Sequence, residues 1–307
     1  MEQSQTDLKH LGAQEKQVEQ IDPKITHRVD LVYKQELTSG LQLKMDLLIP
    51  ETNALHPAIL FLPGGGFTTA DYHKTLPLRL YLAQAGYVVA SAAYRPIPEQ
   101  FPTLLHDAKA ALAFLHEQAE SLAIDRKKIV VMGDSAGGYL TQMLWATANT
   151  DQLLPETIPV AFTDLAVGVS LYGFSNLLTM TNTTQFQPEN MFSNQDKLSP
   201  EKILLKGASA DKSETYDATQ LYELAKCASP IHYVHPESHF KPLLLLHGNH
   251  DQLVPSEQST QMYTAVKSTQ TDVEYWIING ADHGSVEFSQ RSLFKDISEW
   301  LTKRLEE

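Results

Sequence analysis

Apolar and polar positions along this chain follow two periods in turn, and that exchange predicts most of its elements. Residues 28–34 and 41–49 alternate apolar and polar on either side of Ser39-Gly40, which predicts a β-hairpin at the edge of a sheet. After it come short, nearly unbroken apolar runs at 58–62, 87–93, 128–132, 165–171, 242–247 and 272–278. Runs of that length without alternation predict strands covered on both faces, as in a parallel sheet. Between them lie longer stretches with apolar residues three and four apart, predicting helices near 73–86, 102–121, 135–148, 256–268 and 287–304. Strand and helix alternate from residue 58 to the end, so 25–307 reads as one doubly wound, mostly parallel α/β domain.

Two regions break the alternation. About 70 residues separate the sixth strand from the seventh, too many for a plain crossover. The stretch 173–228 therefore reads as an insert, rich in Asn and Thr over 173–215, that would serve as a cap or pocket wall. Residues 1–24 form an N-terminal extension with sparse apolar points at Leu8, Leu11, Val18 and Ile21. That spacing fits a short amphipathic helix, either a partial cap or the contact of a homodimer; a frayed tail fits equally.

Composition narrows the class. Hydrophobic residues at 42% and charged residues at 20% are ordinary for a globular chain. A net charge of −13 without a Lys/Arg cluster argues against nucleic acid and against an anionic membrane surface as partners. Cys227 is the single cysteine, so no internal disulfide forms, and a free cysteine is usually a small buried apolar residue. The polar N-terminus has no apolar signal core, and no apolar run approaches the ~18 residues of a membrane span. A cytoplasmic location is the expectation.

The chemistry is concentrated in Gly133-Asp134-Ser135-Ala136-Gly137, between a predicted strand and a predicted helix. In that setting G-x-S-x-G makes a nucleophile elbow, a tight turn that thrusts the serine side chain out of the strand end. A serine hydroxyl is a poor nucleophile near neutral pH and needs a histidine base oriented by a carboxylate. In the elbow hydrolases the order is serine, acid, histidine. Asp251 and His283 follow Ser135 in that order, each just past a predicted strand, on the rim where open α/β sheets hold ligands. Upstream, Gly64-Gly65-Gly66 follows the strand 58–62 and lets backbone N–H groups approach a developing oxyanion. Gly65, Gly66 and Ala136 are the candidate donors, and Phe67, Tyr139 and Phe174 the candidate substrate contacts.

Rival readings of single residues are weaker. His247 and His250 beside Asp251 resemble a metal cluster, but a zinc site needs three or four convergent ligands, and this loop already supplies the triad acid. Asp134 and Asp282 adjoin Ser135 and His283 too closely to orient the imidazole, so structural roles are expected, as for Arg95 and Glu99.

Together these blocks resemble the α/β-hydrolase family, and within it the hormone-sensitive-lipase-like esterases and the adjacent bacterial feruloyl/acetyl-xylan-esterase-like branch. The likeness spans roughly residues 28–305 and is carried by Gly64 to Phe67, Tyr94-Arg95-Pro96 with Asp107, Gly133 to Gly138, His247-Gly248, Asp251 and Gly280 to Gly284. It implies an α/β-hydrolase fold and hydrolysis of short-chain carboxylic esters through an acyl-enzyme, with no metal and no cofactor. Sugar-linked acetyl or feruloyl esters, arylformamidase-type amide hydrolysis and a non-catalytic binding protein are the rival functions. The family usually has histidine before the three glycines; Pro63 stands there in this chain, and it has no N–H with which to pin the loop.

Overall fold

A computed structural model describes residues 13–14, 16–20, 23–179, 200–207 and 218–306. Among these residues eight strands form one sheet: β1 (Ile25–Gln35), β2 (Gln42–Pro50), β3 (His56–Leu62), β4 (Val88–Ala92), β5 (Ile124–Asp134), β6 (Val167–Leu171), β7 (Leu243–Gly248) and β8 (Val273–Ile278). Their spatial order is β1-β2-β4-β3-β5-β6-β7-β8. Only the β1/β2 and β2/β4 pairs are antiparallel; the rest of the sheet is parallel.

The unbroken apolar runs are explained by cover on both faces. Ala58, Leu60 and Leu62 of β3 pack on one face and Ile59 and Phe61 on the other. In β7, Leu243 and Leu245 oppose Leu244 and Leu246 in the same way. Against the Ile59–Phe61 face lie α1 (Leu76–Gln84), through Leu78 and Leu82, and the C-terminal α7 (Arg291–Glu306), through Phe294, Ile297 and Leu301. Against the other face lie α2 (Thr103–Glu117), α3 (Ala136–Ala146) and α6 (Glu257–Lys267). The strand β5 extends past both predicted ends, the helix α7 starts later than predicted and runs past its predicted C-terminal end, and α2 stops short of its predicted end.

The β6–β7 connection carries α4 (Pro200–Lys206) and α5 (Ala218–Cys227). A backbone hydrogen bond from Phe101 N–H to the Leu204 carbonyl, 2.8 Å, ties α4 to the loop before α2. Residues 180–199 and 208–217 of the predicted insert lie outside the described residues. So do Leu8, Leu11 and Ile21 of the predicted N-terminal helix; the described stretch 16–20 is not helical, and its Val18 is exposed.

Cys227 corrects an expectation: it is exposed rather than buried. The helix α5 buries Leu221 and Ala225, one turn apart, with Ala228 just beyond its end, and Cys227 falls off that stripe.

Candidate active site

Ser135 links β5 to α3 with φ 51° and ψ −118°, a conformation costly for a residue with a side chain. Its surroundings over-determine it. The Ser135 N–H donates to the Leu171 carbonyl on β6 at 2.9 Å, and its carbonyl accepts the Tyr139 N–H of α3 at 2.9 Å. The two motif glycines are needed for close approach. A Cβ on Gly137 would stand 1.9 Å from the Leu62 carbonyl oxygen, and one on Gly133 2.4 Å from the Gly137 oxygen. The helix can enter directly over the end of β3 only with hydrogen at both positions.

The structure brings the three predicted catalytic residues together. Ser135 Oγ donates to His283 Nε2 at 2.8 Å, and His283 Nδ1 donates to Asp251 Oδ2 at 2.7 Å. Asp251 follows β7 and His283 follows β8, which are parallel neighbours, so their C-terminal loops meet beside the elbow. Asp251 Oδ1 accepts two backbone N–H groups, from Leu253 at 2.9 Å and Val254 at 2.8 Å. Its side chain is fully buried. Burial pushes its carboxyl up, but hydrogen bonds from His247, His283 and Val254 outweigh that and hold it well below the usual carboxylate range. Asp251 is therefore an anion at any pH at which His283 could act as a base.

The two neighbouring aspartates have structural partners. Asp282 Oδ1 accepts the backbone N–H groups of Gln252 and His283, stitching the acid loop to the base loop. Asp134 Oδ1 accepts the Gly64 N–H at 2.8 Å. Pro63, which has no N–H, is held through its carbonyl by the buried Tyr94 hydroxyl at 2.7 Å. The glycine loop is thus fixed on both sides of its first peptide. The N–H groups of Gly65, Gly66 and Ala136 have no acceptor among the described residues, as an oxyanion hole requires. Arg95 makes a paired contact with buried Asp107, Nε to Oδ2 at 2.7 Å and Nη2 to Oδ1 at 2.8 Å.

A cavity of about 520 Å³ opens on Ser135, His283, Gly65 and Gly66. Its apolar wall is Phe61, Leu78, Leu171, Phe288 and Phe294; Lys74, Thr75, Asp134, Tyr172 and Ser289 add polar groups. Tyr172 packs edge-on against the His283 ring, centroids 4.9 Å apart, and burial followed by the Asp134 charge raises its hydroxyl far above the usual tyrosine range. Neither Lys74 nor Tyr172 was marked by any motif.

Phe67, Tyr139 and Phe174, the predicted substrate contacts, are placed elsewhere. They form a buried aromatic cluster, Tyr139 stacked on Phe174 at 4.4 Å and Phe67 edge-on to both, and none lines this cavity. The reason is sidedness: they belong to the core under α2 and α3, whereas the cavity opens toward α1 and α7. His247 and His250 do not converge as metal ligands either. His247 is fully buried and its ring bonds to Ser259 and Val254, while His250 is exposed.

An eight-stranded sheet of this order, with an elbow serine after β5, an acid after β7 and a histidine after β8, defines an α/β-hydrolase. The BD-FAE family profile matches residues 45–266, most of the chain, and the chain belongs to that family. Among curated relatives it is 26% identical to esterase LipC of Mycobacterium tuberculosis over 74% of this chain and 53% of that protein. It is 34% identical to an ethyl acetate hydrolase of Pseudomonas putida over 57% of this chain and 56% of that protein. The chain thus spans about half the length of these curated relatives. Among solved structures, a truncated carbohydrate esterase from gut microbiota superposes with a TM-score of 0.77 at 20% identity, covering 94% of this chain and 99% of the other. A Thermogutta terrifontis esterase with bound butyrate superposes at 0.69 and 21% identity, covering 92% of this chain and 94% of the other.

Proposed function

We propose that this protein is a serine carboxylesterase acting on short-chain esters through an acyl-enzyme. The observation that carries the reading is the unbroken path from Ser135 Oγ to His283 Nε2 at 2.8 Å and from His283 Nδ1 to Asp251 Oδ2 at 2.7 Å. Ser135 Oγ attacks the ester carbonyl carbon while His283 Nε2 takes its proton, and Asp251 stabilises the imidazolium. The carbonyl oxygen becomes an oxyanion facing the N–H groups of Gly65, Gly66 and Ala136. The carbon–oxygen bond to the alcohol breaks, and His283 returns the proton to the leaving oxygen. Water then attacks the acyl-enzyme with His283 again as base, releasing the acid and restoring Ser135.

The apolar wall of Phe61, Leu78, Phe288 and Phe294 suits the hydrocarbon part of an acyl group, and the resemblance to short-chain esterases gives the chain length. The Mycobacterium and Pseudomonas relatives, an esterase and an ethyl acetate hydrolase, agree with ester cleavage. The test is hydrolysis of p-nitrophenyl esters from acetate to palmitate beside Ser135→Ala. Turnover that peaks at short chains and vanishes in the folded variant is the expected result. Turnover of any ester that survives Ser135→Ala unchanged overturns the reading.

A further inference from the structure

We propose that His247 is a positioning residue of the triad: its Nε2–H holds Asp251 Oδ2 in line with His283, and Ser259 locks the His247 tautomer that can do so. The proposal rests on the esterase reading above. His247 is the next-to-last residue of β7 and is fully buried. Its Nε2 lies 3.0 Å from the Val254 carbonyl oxygen and 3.2 Å from Asp251 Oδ2. Both are acceptors, so Nε2 carries a proton shared between them. Its Nδ1 lies 2.7 Å from Ser259 Oγ on α6, and with the proton on Nε2 the hydroxyl is the donor of that pair. That bond keeps Nδ1 unprotonated and directs the single ring proton to Nε2.

The consequence falls on the acid. Asp251 Oδ1 is occupied by the Leu253 and Val254 N–H groups, and Oδ2 by His283 on one side and His247 on the other. Each oxygen has two donors, so the carboxylate cannot turn without breaking a contact. A packed core histidine needs only satisfied nitrogens; the Nε2 of this one, bonded to the Val254 carbonyl, also faces the carboxylate oxygen that meets His283. The chain of contacts runs Ser135, His283, Asp251, His247, Ser259.

The charged and titratable groups facing His283 are Asp251 from the β7 loop, Asp134 from the end of β5, Asp282 on its own loop, the Tyr172 hydroxyl after β6, and Lys74 across the cavity. Of these only Asp251 touches His247. Loss of the His247 N–H leaves Asp251 with a less shared negative charge, which favours the protonated imidazole, so the acidic limb of the rate profile moves to higher pH.

The experiment measures kcat and KM for p-nitrophenyl acetate from about pH 5 to about pH 9, where histidine bases titrate. It compares the wild-type full chain with Ser135→Ala, His247→Phe, His247→Gln and Ser259→Ala. For His247→Phe, kcat is expected to fall about 10- to 100-fold, the worth of a hydrogen bond to a charged group, with KM nearly unchanged and the acidic limb displaced upward. Glutamine can return an N–H to Oδ2 and is expected to recover most of kcat and the position of the limb. Ser259→Ala, a smaller change that carries the test if His247→Phe does not fold, is expected to lower kcat about three- to tenfold with the limb moving the same way. A folded His247→Phe or Ser259→Ala with wild-type kcat and an unmoved limb overturns the proposal, as does a glutamine variant no better than phenylalanine. If hydrolysis does not depend on Ser135, the esterase reading fails and takes this proposal with it. Ser135-dependent hydrolysis with an indifferent His247 sinks this proposal alone.

Discussion

Asp251→Asn is the sharpest test of the site, because the structure dictates how the new amide must sit. Asp251 Oδ1 accepts two backbone N–H groups, from Leu253 and Val254, and these loop amides cannot turn away. The asparagine carbonyl oxygen must stay there. Its amide nitrogen then replaces Oδ2 and faces His283 Nδ1, 2.7 Å from the original oxygen. Two N–H groups cannot point at each other, so His283 moves its proton from Nδ1 to Nε2 and Nδ1 becomes the acceptor. Nε2, which lies 2.8 Å from Ser135 Oγ, then already holds a proton and cannot take one from the serine. A wrong tautomer of this kind costs about 10⁴-fold in kcat, or about 5 kcal/mol of barrier. The assay is the pre-steady-state acylation rate with p-nitrophenyl acetate, beside far-UV circular dichroism to show that the fold persists. Stability gives a second reading. The folded carboxyl is held below its usual range, so its contribution is present above that range and is lost as pH falls through and below it. The variant should be about 1–3 kcal/mol less stable than wild type near neutral pH, with the gap closing on acidification. A folded variant that acylates within about tenfold of wild type would refute the tautomer argument.

Two further predictions concern groups outside the triad. Lys109 is fully buried on α2, with the Gln152 carbonyl at 2.8 Å as its hydrogen-bond partner, and burial lowers its ammonium to about 8. A depressed lysine costs the fold stability below about 8 and stops costing it as pH rises through the usual lysine value. Lys109→Met should therefore be stabler than wild type by about 1–3 kcal/mol at pH 7, with the advantage shrinking toward pH 10; urea unfolding at both pH values checks it, and a less stable variant at pH 7 would contradict the burial argument. Tyr94→Phe removes the one donor that the Pro63 carbonyl has among the described residues, and should lower stability by about 1–3 kcal/mol and slow acylation by loosening the glycine loop; an unchanged melting temperature would show that the loop is held otherwise.

The fold was legible because it depends on patterns that repeat locally. Continuous apolar runs such as Leu243 to Leu246 are what a strand covered on both faces demands, and each predicted core strand appears within a few residues of its place. The cluster of Ser135, His283 and Asp251 was legible for a different reason. The elbow is a local motif, and the topology puts the C-terminal end of every parallel strand on one rim, so an acid and a histidine just past β7 and β8 had to lie near Ser135. Period two tells that side chains alternate, but not which face holds the cavity. Phe67, Tyr139 and Phe174 flank the right motifs and still pack away from it, while Phe61, Phe288 and Phe294 supply its wall. His247 carried a signal, four residues before Asp251, but which ring nitrogen meets the acid depends on Ser259 of α6 and on the curl of the acid loop.

The glycine loop shows how a departure from the family pattern is absorbed by new anchors. Proline at position 63 removes one N–H, so that peptide cannot be anchored by donating. The anchors are made by the groups that remain: the Pro63 carbonyl accepts from Tyr94, and the Gly64 N–H donates to Asp134. Both partners come from the strand ends beside β3, Tyr94 just past β4 and Asp134 closing β5. With Gly64 committed to Asp134, the next two N–H groups along the chain, Gly65 and Gly66, are those left free above Ser135. A Cβ on Gly64 would lie 2.6 Å from Asp134 Oδ2, so the anchor itself needs glycine. Asp134, the residue that precedes Ser135, therefore also sets the height of the glycine loop. Ser135 and the Gly65 and Gly66 N–H groups are thus tied to one another through the half-buried Asp134, with Tyr94 holding the other side of the loop.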